Sequence, residues 1–257
     1  MNKAEREQLK HNEAADALLA ASSFASQHGR TLALALVGVI LLGGTVLGYR
    51  AFKARTEERA AVQLASAVEI LNAPVNPLTV PPAPGGATPA PAPTPAAGSY
   101  ASETARANAA LEQLLATADN FARTDSGLRA RYYAASLYAE TNRPREAGDA
   151  YQKVRDDAGA STLLGRMASL GLASMQVRQK QFDPAIRTLQ ELSQRRDGPL
   201  PIDAVLVQLA DAFQQAGRAA EATQTLQRVI DEFPQGPYAA DARQRVDALR
   251  ATAPKAS

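Results

Sequence analysis

The hydrophobic and polar positions divide the chain into segments of different periodicity. A polar segment of thirty residues is followed by an apolar run, 31–49, that contains no charged residue. At 1.5 Å per residue, a helix of this length spans about 28 Å, close to the hydrocarbon thickness of a bilayer. Arg30 precedes the run, and Arg50 and Lys53 follow it, as at the two interfaces of a membrane helix. The pattern predicts a short cytoplasmic or external segment at 1–30 and a transmembrane helix at 31–49.

The charges beside the span leave its orientation open. More basic residues follow the span than precede it, which by the positive-inside rule predicts a cytoplasmic C-terminal tail. The rule weakens for long translocated domains, and Lys3, Arg6 and Lys10 give the N-terminal segment a modest signal for cytoplasmic retention.

Two glycines of the span, Gly44 and Gly48, form a GxxxG pair. Such pairs let two membrane helices approach closely, although glycine is frequent in membrane helices in any case. A homo-oligomer formed through this face is therefore an alternative to a monomer.

The segment after the span changes character twice. Residues 50–72 contain good helix formers and only a thin apolar stripe, which predicts a helical stalk leaving the bilayer. Residues 73–100 contain no charge and nine of the sixteen prolines, so neither a helix nor a sheet ladder runs through them. A Pro/Ala-rich spacer in polyproline II conformation would reach about 85 Å at most. The alternative, a ligand for an SH3-type groove, is less well supported because the run carries neither a basic residue nor an aromatic flank.

From residue 101 onward the chain consists of amphipathic helical segments separated by short breaks. A frame of alanines recurs, with two alanines twelve residues apart in each unit and 38 or 37 residues between units. The frame consists of Ala135 with Ala147, Ala173 with Ala185, and Ala210 with Ala222.

This frame resembles the tetratricopeptide repeat, a helix-turn-helix unit of about 34 residues whose small residues let paired helices approach. The third unit matches best, with Phe213, Gly217 and Pro234 at consensus spacing. The first has Asn142 where the left-handed turn usually takes glycine, and the second is degenerate, with Gln176 and Lys180 at the aromatic and turn positions. We expect an all-α protein: a single transmembrane helix plus a tetratricopeptide-repeat α-solenoid at 101–251. Its repeats lie at about 128–160, 166–198 and 203–236, with flanking helices at 104–123 and 238–250 and a disordered tail at 252–257.

Composition and motifs argue against catalysis, cofactors and nucleic acid. The net charge is +2 with both signs interleaved, which gives no basic stripe for phosphates. The chain has no cysteine, and both histidines precede the span, so the usual metal ligands and proton shuttle are missing from the tail. No zincin, phosphate-loop or nucleophile-elbow motif occurs. We expect no enzyme, no cofactor, no metal site and no nucleic-acid partner.

A repeat solenoid binds proteins mainly through the residues of its first helices, which line the concave face. The predicted protein-binding residues are Tyr132, Ser136, Glu140, Leu170, Ser174, Arg178, Val207, Asp211 and Gln214. Where the carboxylate-clamp subclass places Lys, Asn and Arg to hold a peptide terminus, this chain has Tyr132 with Ser136, Leu170 with Ser174, and Val207 with Asp211. A solvated helix face is the alternative for each residue.

The anchor SFASQHGRTLALALVGVILLGGTVLGYRAFKARTEERAAVQLASAV resembles that of the YfgM-like ancillary subunits of the SecYEG translocon, and MASLGLASMQVRQKQFDPAIRTLQEL is similar to that family's repeats. The resemblance covers roughly 20–72 and 102–250. It implies a bacterial inner-membrane protein with a cytoplasmic N-terminus and a periplasmic domain that contacts Sec translocon subunits, periplasmic chaperones or envelope proteins.

The Pro-rich segment and the third unit depart from that family. The ending VIDEFPQGPYAADARQRVDAL resembles the Tol-Pal-associated cell-division coordinators instead. An envelope scaffold for division and a self-associating structural adaptor therefore stay open beside the translocon accessory.

Overall fold

A computed structural model of the chain describes residues 3–76, 98–195 and 198–252. In these ranges the chain forms nine helices and no strand beyond one isolated bridge, which confirms the all-α prediction. The helices are α1 (Lys3–Asn72), α2 (Glu103–Asn120), α3 (Asp125–Glu140), α4 (Pro144–Ala158), α5 (Leu163–Arg178), α6 (Phe182–Gln194), α7 (Ile202–Gln215), α8 (Ala219–Glu232) and α9 (Ala239–Thr252). Most of the predicted tail at 252–257 and the interior of the predicted spacer lie outside the described residues.

The chain divides into two compact units, Met1–Arg55 and Thr56–Ser257. The first unit lies on α1 and contains the predicted span. Large apolar side chains such as Val39, Leu42 and Leu47 are about two-thirds exposed there, at 66, 70 and 68%. Among the described residues, one helical section, Val37–Asn72, is long and apolar enough to cross a membrane. Continuous exposed apolar surface of this kind is typical of a helix that faces lipid.

The second unit is a stack of helix pairs. The three predicted repeats fall on the pairs α3 with α4, α5 with α6, and α7 with α8. Every alanine of the recurring frame is fully buried, at 0% exposure. Because alanine has no side chain beyond Cβ, paired helices approach closely at these positions. The frame that identified the repeats is therefore their packing surface.

The turn inside each pair has the same backbone. Asn142, Lys180 and Gly217 adopt left-handed conformations, with φ of 58°, 61° and 77°. In each turn the amide that follows the left-handed residue bonds back to a carbonyl at 2.8 Å, from Arg143 to Tyr138, Gln181 to Gln176 and Arg218 to Phe213. The left-handed turn predicted at Asn142 is confirmed. The turn at Lys180, which the sequence marked as degenerate, has the same geometry.

The end of α1 packs on the repeats instead of standing apart as a stalk. Ala67 is fully buried in a cluster with Leu114 of α2 and Leu137 of α3. Glu57 accepts hydrogen bonds from the amides of Asp125 and Ser126 at 2.8 and 2.9 Å, which caps the N-terminus of α3 from a distant part of the sequence. The thin apolar stripe of 50–72 is thus a packing face, because the second unit supplies its partner.

The ends of the predicted spacer lie side by side. Val75 and Tyr100 form a parallel bridge, in which the Asn76 amide donates to the Tyr100 carbonyl at 2.9 Å and the Tyr100 amide donates to the Pro74 carbonyl at 3.0 Å. A spacer that separates two domains would hold its ends apart. The two described ends of the predicted spacer therefore meet in the structure.

Candidate protein-binding face

The nine predicted binding residues lie on the first helices of the three repeats, α3, α5 and α7. We call the surface formed by these helices the first-helix face. Some of the nine residues line one cleft. Some form hydrogen bonds with a neighbouring repeat or helix, and others are partly buried.

On α3, Tyr132 and Ser136 belong to an aromatic cluster with Tyr151 of α4. The Tyr132 and Tyr151 rings meet edge to face with centroids 5.5 Å apart. The hydroxyl oxygens of Ser136 and Tyr151 lie 3.0 Å apart in a hydrogen bond. Gly171 of α5 makes room for this arrangement, since a Cβ there would lie 2.6 Å from the Tyr151 ring.

Burial raises the pKa of both tyrosine hydroxyls of this cluster. It raises the pKa of Tyr132 above the ordinary value of 10.0, with Tyr151 and Tyr133 contributing, against the Ser136 hydrogen bond. Burial likewise raises the pKa of Tyr151, again opposed by Ser136. Tyr133, which is 42% exposed, is the most accessible ring of the cluster.

Arg178, predicted as a binding residue, reaches back to the preceding repeat. Its guanidinium donates to the Ala139 carbonyl and to Asn142 Oδ1, each at 2.8 Å. Asn142 is the left-handed residue of the first turn. Arg178 therefore links the second repeat to the turn of the first repeat through two hydrogen bonds of its guanidinium.

At the other end of the face, Asp211 and Gln214 bind Arg245 of α9. Arg245 Nη2 donates to Asp211 Oδ1 and, at 2.6 Å, to Gln214 Oε1. Asp241 lies 3.7 Å from the same guanidinium and adds a second carboxylate. The two predicted residues thus hold the C-terminal helix against the third repeat.

The remaining predicted residues differ in burial. Leu170 and Val207 are partly buried against apolar clusters of the core. Glu140 is exposed at the end of α3. Of these three, only Glu140 is exposed.

A cleft between α5 and α7 brings three of the predicted residues together. Ser174, Arg178 and Asp211 line it, with Leu189 of α6 among the apolar side chains. Gln208 and Gln215 of α7 complete the lining, and neither was predicted. The mixture of amides, a hydroxyl and charges in this lining suits the backbone and side chains of a peptide, because amides can donate to and accept from peptide groups.

The sequence contained a signal for the missed residues. Gln215 lies 37 residues after Arg178, which is the repeat period, so the frame assigned to Arg178 points to Gln215. Arg245, 34 residues after Asp211, lies in a helix that was treated only as a cover for the stack. Among the described residues, no group of three or more His, Asp or Glu side chains is placed to hold a metal ion.

Family comparison agrees with this architecture. The family described as tetratricopeptide repeat-like domain matches residues 22–196, about two-thirds of the chain. The chain belongs to this family. A further family described as tetratricopeptide repeat matches residues 204–236, which include most of α7 and all of α8. The tetratricopeptide-like match extends from within α1 through α6, so it includes the apolar segment as well as the first two repeats.

Solved structures share the fold. The TPR-like repeats of a Podosopora anserina protein described as a kinesin light chain are 17% identical, with a TM-score of 0.50 over 58% of this chain and 80% of that one. A single-residue variant of that protein gives 16% identity and the same TM-score, with coverage of 58% and 79%. At these identities the likeness shows the fold alone. The comparison with curated proteins found no match.

The family and the fold together define the broad function. Tetratricopeptide repeats generally bind proteins and typically act as non-catalytic scaffolds. The chain is a protein–protein interaction scaffold, and one helix among its described residues is long and apolar enough to span a membrane.

Proposed function

We propose that this protein is a membrane-anchored scaffold of the bacterial cell envelope that acts beside the Sec translocon and periplasmic chaperones. In this proposal residues 31–49 span the inner membrane, the N-terminus is cytoplasmic and the repeats are periplasmic. Support comes from the resemblance of the anchor and the second repeat to the YfgM-like subunits. The observation that carries protein binding is the cleft between α5 and α7, which is lined by polar and charged groups of two repeats.

Partner identity is tested by crosslinking in membranes, solubilisation in detergent and affinity capture of the full chain. We expect Sec translocon subunits among the captured proteins, enriched over a sample without crosslinker. The competing proposal, a Tol-Pal-associated division coordinator, is favoured by the ending of the third repeat. Recovery of Tol-Pal components without Sec components would reject the first proposal in favour of the second.

Orientation is tested with alkaline phosphatase fused to the C-terminus, because this enzyme is active only outside the cytoplasm. An active fusion supports periplasmic repeats. An inactive fusion that is made in normal amount would place the repeats in the cytoplasm, which is the location that the flanking charges alone predict. That result would reject both envelope proposals.

The role of the cleft is tested by Gln208→Arg, which places a long charged side chain in its lining. We expect crosslinking to the captured partner to fall several-fold, because the longer side chain fills the space that a partner would occupy. Gln152→Arg on the exposed surface of α4 is the matched control and should retain full crosslinking. Equal retention by the two variants would show that the cleft is not the binding site.

A homo-oligomer through the span is a separate proposal that rests on Gly44 and Gly48. Within the described structure neither glycine has another side chain near the position of its missing Cβ, so a second helix can approach there. Gly44→Leu with Gly48→Leu should abolish a crosslinked dimer in membranes. A dimer that persists in the double variant would show that this face is not the contact.

A further inference from the structure

The helix that precedes the first repeat has the packing pattern of a second repeat helix. Ala110 of α2 lies 37 residues before Ala147, and Leu114 and Thr117 lie 37 residues before Tyr151 and Val154. Ala110, Leu114 and Thr117 are all at 0% exposure. The spacing between the second helices of the predicted repeats is 38 and 37 residues. The period of the solenoid therefore continues one unit toward the N-terminus.

The end of α1 supplies the first helix of this additional unit. Ala67 is fully buried in one cluster with residues of α2 and α3, and Leu64, Ile70 and Leu71 pack against that cluster. At the far end of this section, Glu57 caps α3 through two amides. A helix that packs on the second helix of its own pair and on the first helix of the next has the contacts of a repeat first helix.

The described ends of the segment between these two helices lie together. Besides the bridge between Val75 and Tyr100, Arg106 of α2 donates to the Ala73 carbonyl at 3.1 Å. The other pairs turn within about four residues, whereas here 77–97 lie between two adjacent chain ends. Loop closure becomes only slowly more costly with length, so a turn tolerates a long insertion when its ends are fixed.

We infer that the end of α1 and α2 form a fourth helix pair of the solenoid, and that residues 77–97 are an insertion in the turn of that pair. The folded interaction module therefore begins at Thr56, and the helix that carries the apolar span is also the first helix of the module. The Pro-rich segment is not what holds the repeats to the membrane.

Cutting the insertion tests this directly. A site for a sequence-specific protease is placed within 77–97 of the full chain, and membranes that contain the protein are cut and sedimented. If the fourth pair exists, the repeat fragment stays in the pellet after complete cutting and is released by urea. If 73–100 is a tether, the fragment moves to the supernatant as fast as it is cut, which would overturn the inference.

Two alanines of α1 provide matched variants for the same experiment. Ala67 is buried against α2 and α3, whereas Ala65 is exposed on the same helix. Ala67→Asp buries a charge without a partner and should release the fragment after cutting, while the uncut variant stays in the pellet. Ala65→Asp should retain the fragment like the parent. Equal behaviour of the two variants would contradict packing through Ala67.

Hydrogen exchange of the uncut full chain gives a second, independent measurement. Glu57→Ala removes the cap, so the amides of Asp125 and Ser126 should exchange about tenfold faster, the scale of one lost helix cap. Glu58→Ala removes the neighbouring exposed carboxylate and should leave both amides unchanged. If Glu57→Ala also leaves them unchanged, α1 does not pack on α3 and the fourth pair is disproved.

Discussion

The middle and third repeats build the same hairpin from different residues. At the turn of the third repeat, Gly217 has φ of 77°, and the Arg218 guanidinium lies 4.8 Å from the Phe213 ring centroid. The middle repeat has Lys180 at φ 61° and glutamine at both the aromatic and the arginine position.

The first repeat follows the third, with Arg143 4.4 Å from the Tyr138 ring centroid. Yet the bond that closes each turn measures 2.8 Å in all three repeats. What the repeats share, the buried alanines and the turn backbone, therefore fixes the fold. The arginine and aromatic pair adds stability to a hairpin that forms without it.

The strongest test of this comparison enlarges the shared alanines. Ala173→Leu in the middle repeat and Ala210→Leu in the third should each lower the free energy of unfolding by about 3 kcal/mol, because both positions are fully buried between helices. Urea unfolding followed by circular dichroism measures the change. Ala220→Leu, at an exposed position of α8, should change it by less than about 0.5 kcal/mol. If only Ala210 is sensitive, the two repeats do not share one packing frame.

A second test concerns a feature found only in the middle repeat. Gly171→Ala would place a Cβ 2.6 Å from the Tyr151 ring, which is held by its packing and by the Ser136 hydroxyl, so we expect a loss of about 2 kcal/mol. Gly148→Ala in α4 is the control, because its Cβ would meet the nearest atom at 3.5 Å. The helix should then gain up to about 1 kcal/mol from losing a glycine. Similar effects of both changes would show that the Tyr151 ring moves easily.

Helical period and small-residue spacing made the repeats predictable from the sequence. Alanines twelve residues apart identify close helix pairs, because few side chains fit there, and Asn142 tolerates the left-handed turn. The same logic marked Lys180 as a weak turn. The backbone there is nevertheless left-handed, since the bond from Gln181 to Gln176 and the packing on both sides of the turn determine its conformation.

Long-range contacts were the part that periodicity could not predict. The apolar stripe of 50–72 is thin, and nothing in it shows that α2 lies beside it or that Glu57 reaches the first turn of α3. Prolines excluded helix and sheet from 73–100, but composition does not report whether the two ends of a segment meet. The same limit applies to Asp211, whose partner Arg245 lies in another helix.

A smaller effect comes from the left-handed residues themselves. Lys180→Gly should raise the free energy of unfolding by about 1 kcal/mol, because a residue with a Cβ is strained at φ 61°. Gly217→Ala should lower it by about the same amount, although no atom crowds the new Cβ. Thermal unfolding of both variants measures the pair. Destabilisation by Lys180→Gly would mean that the lysine side chain makes a contact worth more than the strain.

The smallest effect should come from the Arg218 pair, which the middle repeat replaces with Gln181 and Pro184. Arg218 donates to both carboxylate oxygens of Glu221, and these hydrogen bonds hold the pKa of Glu221 below its ordinary value of 4.5 against a small opposing effect of burial. A carboxyl group with a lowered native pKa stabilises the fold fully above its unfolded pKa and loses that contribution as the pH falls through the native pKa.

Glu221→Gln should therefore lower the melting temperature slightly at pH 7, and the difference from the parent should shrink as the pH falls through the lowered native pKa of Glu221. Thermal unfolding between pH 7 and pH 3 measures it, and Arg218→Gln, alone and combined with Glu221→Gln, completes a double-mutant cycle. The coupling energy should vanish over the same pH range and shrink in high salt. A melting-temperature difference that is unchanged at pH 3 would show that Glu221 stabilises the repeat by packing. The Arg218 pair would then contribute no electrostatic stability that the middle repeat lacks.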